Sequence, residues 1–294
     1  SSDLIDIDAF CPSIAPGTGT PSHGGFLYYD VLEILQSLSE QNKVVGIDLV
    51  EVKIGYDGIV IANTKKASQL NISKRQIFLA LAKQVPEGNK DGGKLIENPN
   101  AKWSDIDPNL PNIKIEVLGP PPTSGTRDAF NELAIEGGCK TFPTLKAIKK
   151  QNKNKYKAIC RAVREDGAFI EAGENDNLIV QKLIENENAF GVFGFSFLIE
   201  NEDKIQGSSL DNITPTMETI ADKSYGISRP LYFYVKLAHI DVIPGISEFL
   251  KEFTSEDAWG PDGYLEERGI IPMPENEREF FKKNAEEKIS LKKL

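Results

Sequence analysis

The chain has 294 residues, 40% of them hydrophobic, which suits one large domain or two of moderate size with a substantial core. Its formal net charge of −10 argues against nonspecific binding to nucleic acid or to an anionic membrane. With two histidines and no Cys-x-x-Cys a zinc site is not expected, and no stretch approaches the ~20 apolar residues of a membrane span.

The first half of the chain begins with a polar, glycine-rich stretch, 17–25 (GTGTPSHGG). It lacks the Gly-Lys-Ser/Thr ending of a nucleotide-binding P-loop, so a flexible loop is the preferred interpretation. Helical spacing follows over 31–38, and β-branched strands are predicted over 44–52 and 58–62, with a turn at 56–58 between them. Ser73 is expected to cap a helix over 74–83.

The stretch 120–130 (PPPTSGTRDAF) follows a strand predicted over 113–118. Its prolines block a helix, after which Thr123 or Ser124 can cap one that Gly137 and Gly138 are expected to end. A helix start carries unpaired N–H groups that attract anions. Two hydroxyls, a glycine that allows close approach and a guanidinium fork lie there, at Ser124, Gly125, Thr126 and Arg127. The stretch therefore predicts an anion site, with an ordinary capped helix and a surface arginine as the alternative.

Beyond this stretch, Cys139 and Cys160 bracket a basic segment, and their spacing alone leaves a disulfide and free thiols equally open, with Cys11 left over. The basic run 146–157 is interpreted as a solvated helix face. Helices are predicted over 176–184 and 244–253, strands over 190–195 and 225–237, and a surface helix or frayed tail over 277–294.

The alternation of strands and helices predicts an α/β protein. Two extended segments, near 114–120 and 226–236, are predicted to cross between two lobes that close around a ligand by a hinge. Lobe 1 would comprise 1–118 and 228–294, and lobe 2 would comprise 119–227.

The segment 121–130 resembles the phosphate-binding loop of the substrate-binding proteins of Pst-type phosphate ABC transporters. The resemblance extends over roughly residues 50–274, whereas 1–49 diverge; it includes 50–58 (VEVKIGYDG), 171–177 (EAGENDN), 229–232 (RPLY) and 259–264 (WGPDGY). It implies two doubly wound lobes of the type II periplasmic-binding-protein class with phosphate buried in the cleft between them.

The resemblance also implies partners and site residues. It pairs Cys139 with Cys160 and places Ser124, Gly125, Thr126 and Arg127 on the phosphate. Ser22, in a segment (SHGGF) similar to the family's Ser-Gly-Gly-Gly-Phe loop, would be a first-lobe contact. Asp30 is ranked ahead of Asp57 and Asp176 as the carboxylate that accepts a hydrogen bond from protonated phosphate and rejects sulfate.

The implied protein is a monomeric periplasmic binding protein that delivers phosphate to a membrane permease. It is expected to be no enzyme, to hold no metal or cofactor, to bind no nucleic acid, and to be the mature form of an exported chain. Two alternatives use the same fold: a phosphate-ester hydrolase with Ser124 or Thr126 as nucleophile, and a ligand-sensing regulatory module.

Overall fold

The computed structural model describes residues 49–173 and 176–291. In chain order its strands and helices are β1 (Leu49–Thr64), β2 (Asn71–Ile72), α1 (Lys74–Leu81), β3 (Gln84–Pro86), β4 (Leu95–Glu97), α2 (Trp103–Ile106), β5 (Val117–Gly119), α3 (Gly125–Phe130), a π-helical turn (Asn131–Ile135), α4 (Glu136–Cys139), α5 (Pro143–Gln151), α6 (Lys153–Cys160), β6 (Phe169–Glu171), α7 (Asp176–Glu185), β7 (Phe190–Gly194), α8 (Phe195–Glu200), β8 (Ile205–Gly207), β9 (Ser209–Leu210), α9 (Met217–Ala221), β10 (Ser228–Lys236), α10 (Ile246–Phe253), α11 (Glu256–Trp259) and α12 (Glu275–Glu286). Short 3₁₀ turns lie at Glu87–Asn89 and Leu237–His239.

A mixed sheet with strand order β10-β1-β7-β5-β6 organises the described residues, and β8 also pairs with β1. β5 runs parallel to β6 and β7, as expected where helices connect successive strands. β1 is antiparallel to β10, β7 and β8. The sequence-based expectation of an α/β protein is therefore confirmed.

β1 is longer than the sequence indicated. The turn predicted at 56–58 is wrong, because β1 continues through these residues to Thr64. Residues 49–58 pair with β10, and from Ile59 onward the same strand pairs with β7 and then β8. The ladder to β10 compensates the local turn preference of an Asp-Gly pair, so β1 links two groups of strands without a break.

α1 begins where its capping residues predict. Ser73 Oγ accepts from the backbone N–H of Gln76 at 3.2 Å, and Gln76 Oε1 accepts from the backbone N–H of Ser73 at 2.8 Å. This reciprocal pair satisfies two N–H groups of the first turn. Ile77, Phe78 and Leu81 are fully buried, so the apolar face of α1 packs into the core.

The helix that starts at Gly125 passes through the two glycines that were predicted to end it. α3, the π-helical turn and α4 follow one another with right-handed helical backbone at their junctions, and the last helical residue is Cys139. Gly138 lies where α4 crosses α1: a Cβ atom built on it would lie 2.0 Å from the carbonyl oxygen of Lys74. The glycine serves close helix packing rather than helix termination.

Cys139 and Cys160 form a disulfide with their Cα atoms 5.5 Å apart, which confirms the pairing that the family resemblance implied. Both cysteines are fully buried. The bond ties the end of α4 to the end of α6, so that the intervening helices α5 and α6 form a closed unit on the rest of the fold.

Candidate functional site

The start of α3 forms the centre of the candidate site. Ser124 is its N-cap, and its Oγ accepts a hydrogen bond from the backbone N–H of Thr126 at 3.2 Å. Its own N–H donates to the carbonyl of Pro121 at 3.0 Å, which closes the proline-rich turn. A Cβ atom on Gly125 would meet no atom within 4 Å. The first turn of the helix therefore borders open space, as an anion approaching the N–H groups requires.

An ion pair between β1 and β10 lies beside this helix start. Asp57 of β1 and Arg229 of β10 are opposite each other in the ladder. Arg229 donates from Nε at 3.1 Å and from Nη2 at 3.0 Å to Asp57 Oδ2, and from Nη1 at 3.4 Å to the carbonyl of Gly125. Burial raises the pKa of Asp57, while the charge of Arg229 and its hydrogen bonds act to lower it. The pair connects both strands to the start of α3.

Asp176, the first residue of α7, adds a second carboxylate. Burial raises its pKa to about 6, a hydrogen bond from the backbone of Gly194 acts to lower it, and the charge of Asp57 raises it further. This coupling shows that the two carboxylates are close enough to repel each other. Asp176 is thus coupled to Asp57, and Asp57 is linked through Arg229 to the carbonyl of Gly125 at the start of α3.

The structure does not bring Arg127 to this group of charges. Its Nη1 donates to the carbonyl of Pro120 at 3.2 Å, and its guanidinium lies 3.8 Å from the ring centroid of Phe169. Burial lowers the pKa of Arg127, and the charge of Glu171 acts to raise it. The side chain borders a cavity of about 410 Å³ whose lining includes Glu171 but not Ser124. The predicted grip of Arg127 on an anion stays a prediction.

Of the other predicted site residues, Ser22 and Asp30 lie outside the described residues. Arg229 was not predicted as a site residue, although 229–232 (RPLY) is one of the segments that carry the family resemblance. Arg229 and its partner Asp57 are distant in sequence. Only the pairing of β1 with β10 reveals that Arg229 lies beside Gly125.

Within 49–173 and 176–291, no group of three or more His, Cys, Asp or Glu side chains is arranged to hold a metal ion. In the same residues, no helix has the length and apolar character required to cross a bilayer.

Comparison with known proteins identifies the family. The model of the PBP superfamily domain matches residues 30–257. The phosphate-binding protein PstS of Staphylococcus haemolyticus is 30% identical over 231 residues, which is 76% of this chain and 58% of that protein. PstS of Staphylococcus saprophyticus is 29% identical over 238 residues, 79% of this chain and 60% of that protein. The chain thus spans about three fifths of the length of these curated relatives.

Solved structures share the fold. A possible phosphate binding protein from Planctomyces limnophilus superposes with a TM-score of 0.58 at 21% identity, covering 87% of this chain and 77% of that one. PstS from Borrelia burgdorferi gives 0.51 at 18% identity, with coverages of 77% and 73%. These likenesses confirm the type II periplasmic-binding fold. The identity with the two staphylococcal PstS proteins confirms the resemblance to Pst-type binding proteins. The chain belongs to the PBP superfamily.

Proposed function

We propose that this protein binds inorganic phosphate beside the start of α3 and delivers it to the membrane permease of a phosphate ABC transporter. The observation that carries the proposal is the open first turn of α3, with the Ser124 cap in place, Gly125 unobstructed and Arg229 alongside. The relatives named above are phosphate-binding proteins, which favours phosphate among the anions that a helix start can hold.

The chemistry of this turn suits a tetrahedral oxyanion. Free N–H groups of the first turn and the hydroxyls of Ser124 and Thr126 are donors for phosphate oxygens, and Arg229 supplies positive charge. Protonated phosphate also carries an O–H donor. Among the described residues, the carboxylate of Asp57 is a candidate acceptor for it. Asp30 and Ser22 remain our proposed first-lobe contacts, so the acceptor role is to be decided among Asp30, Asp57 and Asp176.

The two crossing strands give the site a means of closing. β1 and β10 pass the α3 start side by side, and a hinge in such strands lets two lobes close on a ligand. We retain the two-lobe organisation as a proposal. Because β1 changes partner from β10 to β7 after Gly58, we propose that the first crossing lies in β1 at 57–59, whereas the sequence suggested one near 114–120.

The remaining attributes follow from the transport role. We propose a monomeric, periplasmic protein that catalyses no reaction, needs no cofactor and binds no nucleic acid. Neither alternative considered from the sequence gains a supporting observation, and the relatives are named for binding phosphate.

Calorimetric titration with phosphate tests the proposal. Ser124→Ala combined with Thr126→Val removes two hydroxyls, and hydrogen bonds to a charged group contribute roughly 1.5–3 kcal/mol each, so affinity should fall at least about tenfold. Ser255→Ala is the matched control, since Ser255 caps α11 in the same way and lies outside the site. Absence of saturable phosphate binding to the unmodified protein, or equal losses in both variants, would contradict the proposal.

Two arginines compete for the role of the charged ligand. If Arg229 holds phosphate, Arg229→Lys should weaken binding by about tenfold or more while Arg127→Lys leaves affinity unchanged, because lysine cannot make two parallel hydrogen bonds. The opposite ranking would return the role to Arg127 and would require its guanidinium to leave Phe169 on binding. Competition with excess sulfate is run on Asp30→Asn, Asp57→Asn and Asp176→Asn. The acceptor is the carboxylate whose replacement removes the selectivity for phosphate over sulfate.

A further inference from the structure

A strongly basic surface stands out on this acidic protein. Between Gly137 and Arg164 the chain has no Asp or Glu, and it contains Lys140, Lys146, Lys149, Lys150, Lys153, Lys155, Lys157, Arg161 and Arg164. Five of these side chains are exposed on α5 and α6, and we call them the lysine face: Lys146, Lys149, Lys150, Lys153 and Lys155.

The helices that carry the lysine face form a rigid platform. Asn152 ends α5 and caps α6, where its Oδ1 accepts from the backbone N–H of Lys155 at 2.8 Å. Leu145 and Tyr156 are buried beneath the two helices, and the disulfide at Cys160 closes the unit. The lysines therefore project from a fixed surface rather than from a mobile loop.

Three of the five lysines of the lysine face are not neutralised by the described residues. Buried Glu136 pairs with Lys140 at 3.0 Å and Lys149 at 3.3 Å. The side chains of Lys146, Lys150 and Lys155 form no hydrogen bond or ion pair with the described residues. Lys146 and Lys150 are four positions apart on α5, an arrangement of like charges that destabilises a helix. Positive charge in the last turn of α5 complements the helix dipole, which accounts for Lys149 and Lys150 but not for Lys146 or Lys155.

We propose that the lysine face binds the anionic phospholipid headgroups of a membrane surface. Basic side chains near such a surface attract its phosphates without inserting. The exposed large apolar side chains of the described residues all lie outside α5 and α6, so the face lacks the apolar anchors on which protein interfaces depend. Arg161, whose fork would suit nucleic acid, is held by Glu136 at 2.6 Å.

The net charge of −10 does not oppose this contact. Charges more than about 8 Å apart are largely screened at physiological ionic strength, so the local lysines dominate the potential at the face. The inference from whole-chain composition against an anionic membrane therefore does not extend to this surface. The proposal is independent of phosphate binding at α3.

Vesicle sedimentation tests the proposal with the full chain. Vesicles of phosphatidylcholine with one third phosphatidylglycerol should bind the protein at low salt, pure phosphatidylcholine should not, and added salt should release it. Each lysine near an anionic surface contributes about fivefold in partitioning, so Lys146→Gln, Lys150→Gln and Lys155→Gln together should weaken binding roughly 100-fold.

Two companion variants make the result decisive. The control triple variant combines Lys65→Gln, Lys66→Gln and Lys282→Gln. These lysines are exposed and lie outside α5 and α6, so the variant removes the same charge and should leave vesicle binding unchanged. Arginine at Lys146, Lys150 and Lys155 keeps the charge and should keep binding. No binding to anionic vesicles, an equal loss in the control triple, or tight binding of duplex RNA in the absence of vesicle binding would overturn the proposal.

Discussion

Adjacent glycines in α4 offer a direct test of the packing derived above. In Gly138→Ala the new methyl group would lie 2.0 Å from the carbonyl oxygen of Lys74 and 2.6 Å from Cβ of Phe78. Neither obstacle can move by a side-chain rotation, so α1 and α4 must separate in a close-packed interior. Overpacking typically costs 1–3 kcal/mol and more where backbone must shift, against a gain of about 0.8–1 kcal/mol in helix propensity. We expect a net loss of at least about 2 kcal/mol in the free energy of unfolding.

Gly137→Ala is the matched control. Its methyl group would meet Cδ of Lys74 at 2.9 Å, the flexible part of a long side chain that can adjust. The gain in helix propensity should offset that adjustment, leaving stability within about 1 kcal/mol of the unmodified protein. Urea denaturation followed by the fluorescence of buried Trp103 and Trp259 measures both variants. If Gly138→Ala is as stable as Gly137→Ala, the close crossing of α1 and α4 is not what selects glycine there.

Three further predictions concern the disulfide and the charges of the site. Replacing Cys139 and Cys160 by alanine should lower the free energy of unfolding by roughly 2–4 kcal/mol in urea denaturation, because the unfolded chain loses a constraint; a loss below about 1 kcal/mol would contradict this. Arg229→Gln leaves Asp57 unpaired in a half-buried position and should cost about 1–2 kcal/mol, between surface and buried ion pairs; the double variant with Asp57→Asn should recover part of this loss, and no recovery would argue against the pairing. Asp176 has a folded-state pKa of about 6 against 3.8 when free, so its ionisation costs stability as pH rises from about 4 to 6. Asp176→Asn should therefore raise Tm at pH 7.5 more than at pH 4.5, and equal shifts at both pH values would show that burial does not control this carboxyl.

Local sequence determined the features whose partners lie within one turn of chain. The cap at Ser124 needs only the N–H of Thr126, and the capping box of Ser73 needs only Gln76. Such contacts form whenever the segment folds, so residue type and spacing suffice to predict them. The α/β class was predictable for a related reason, since the periodicity of apolar residues reports which face of each element is buried.

Tertiary structure decided whatever depended on distant residues. Arg229 meets Asp57 across 172 positions of sequence, and no local pattern places that guanidinium at Gly125. The local turn signal at 56–58 gave way to the β10 ladder, and the helix-ending signal of Gly138 gave way to the approach of α1. Local preferences of this kind are worth about 1 kcal/mol per residue, whereas a strand ladder or a helix crossing combines many contacts that form together. The combined free energy of these tertiary contacts exceeds the local preference and therefore decides the backbone conformation. The residues that make the contacts are distant in sequence, so they are identified only in the folded structure.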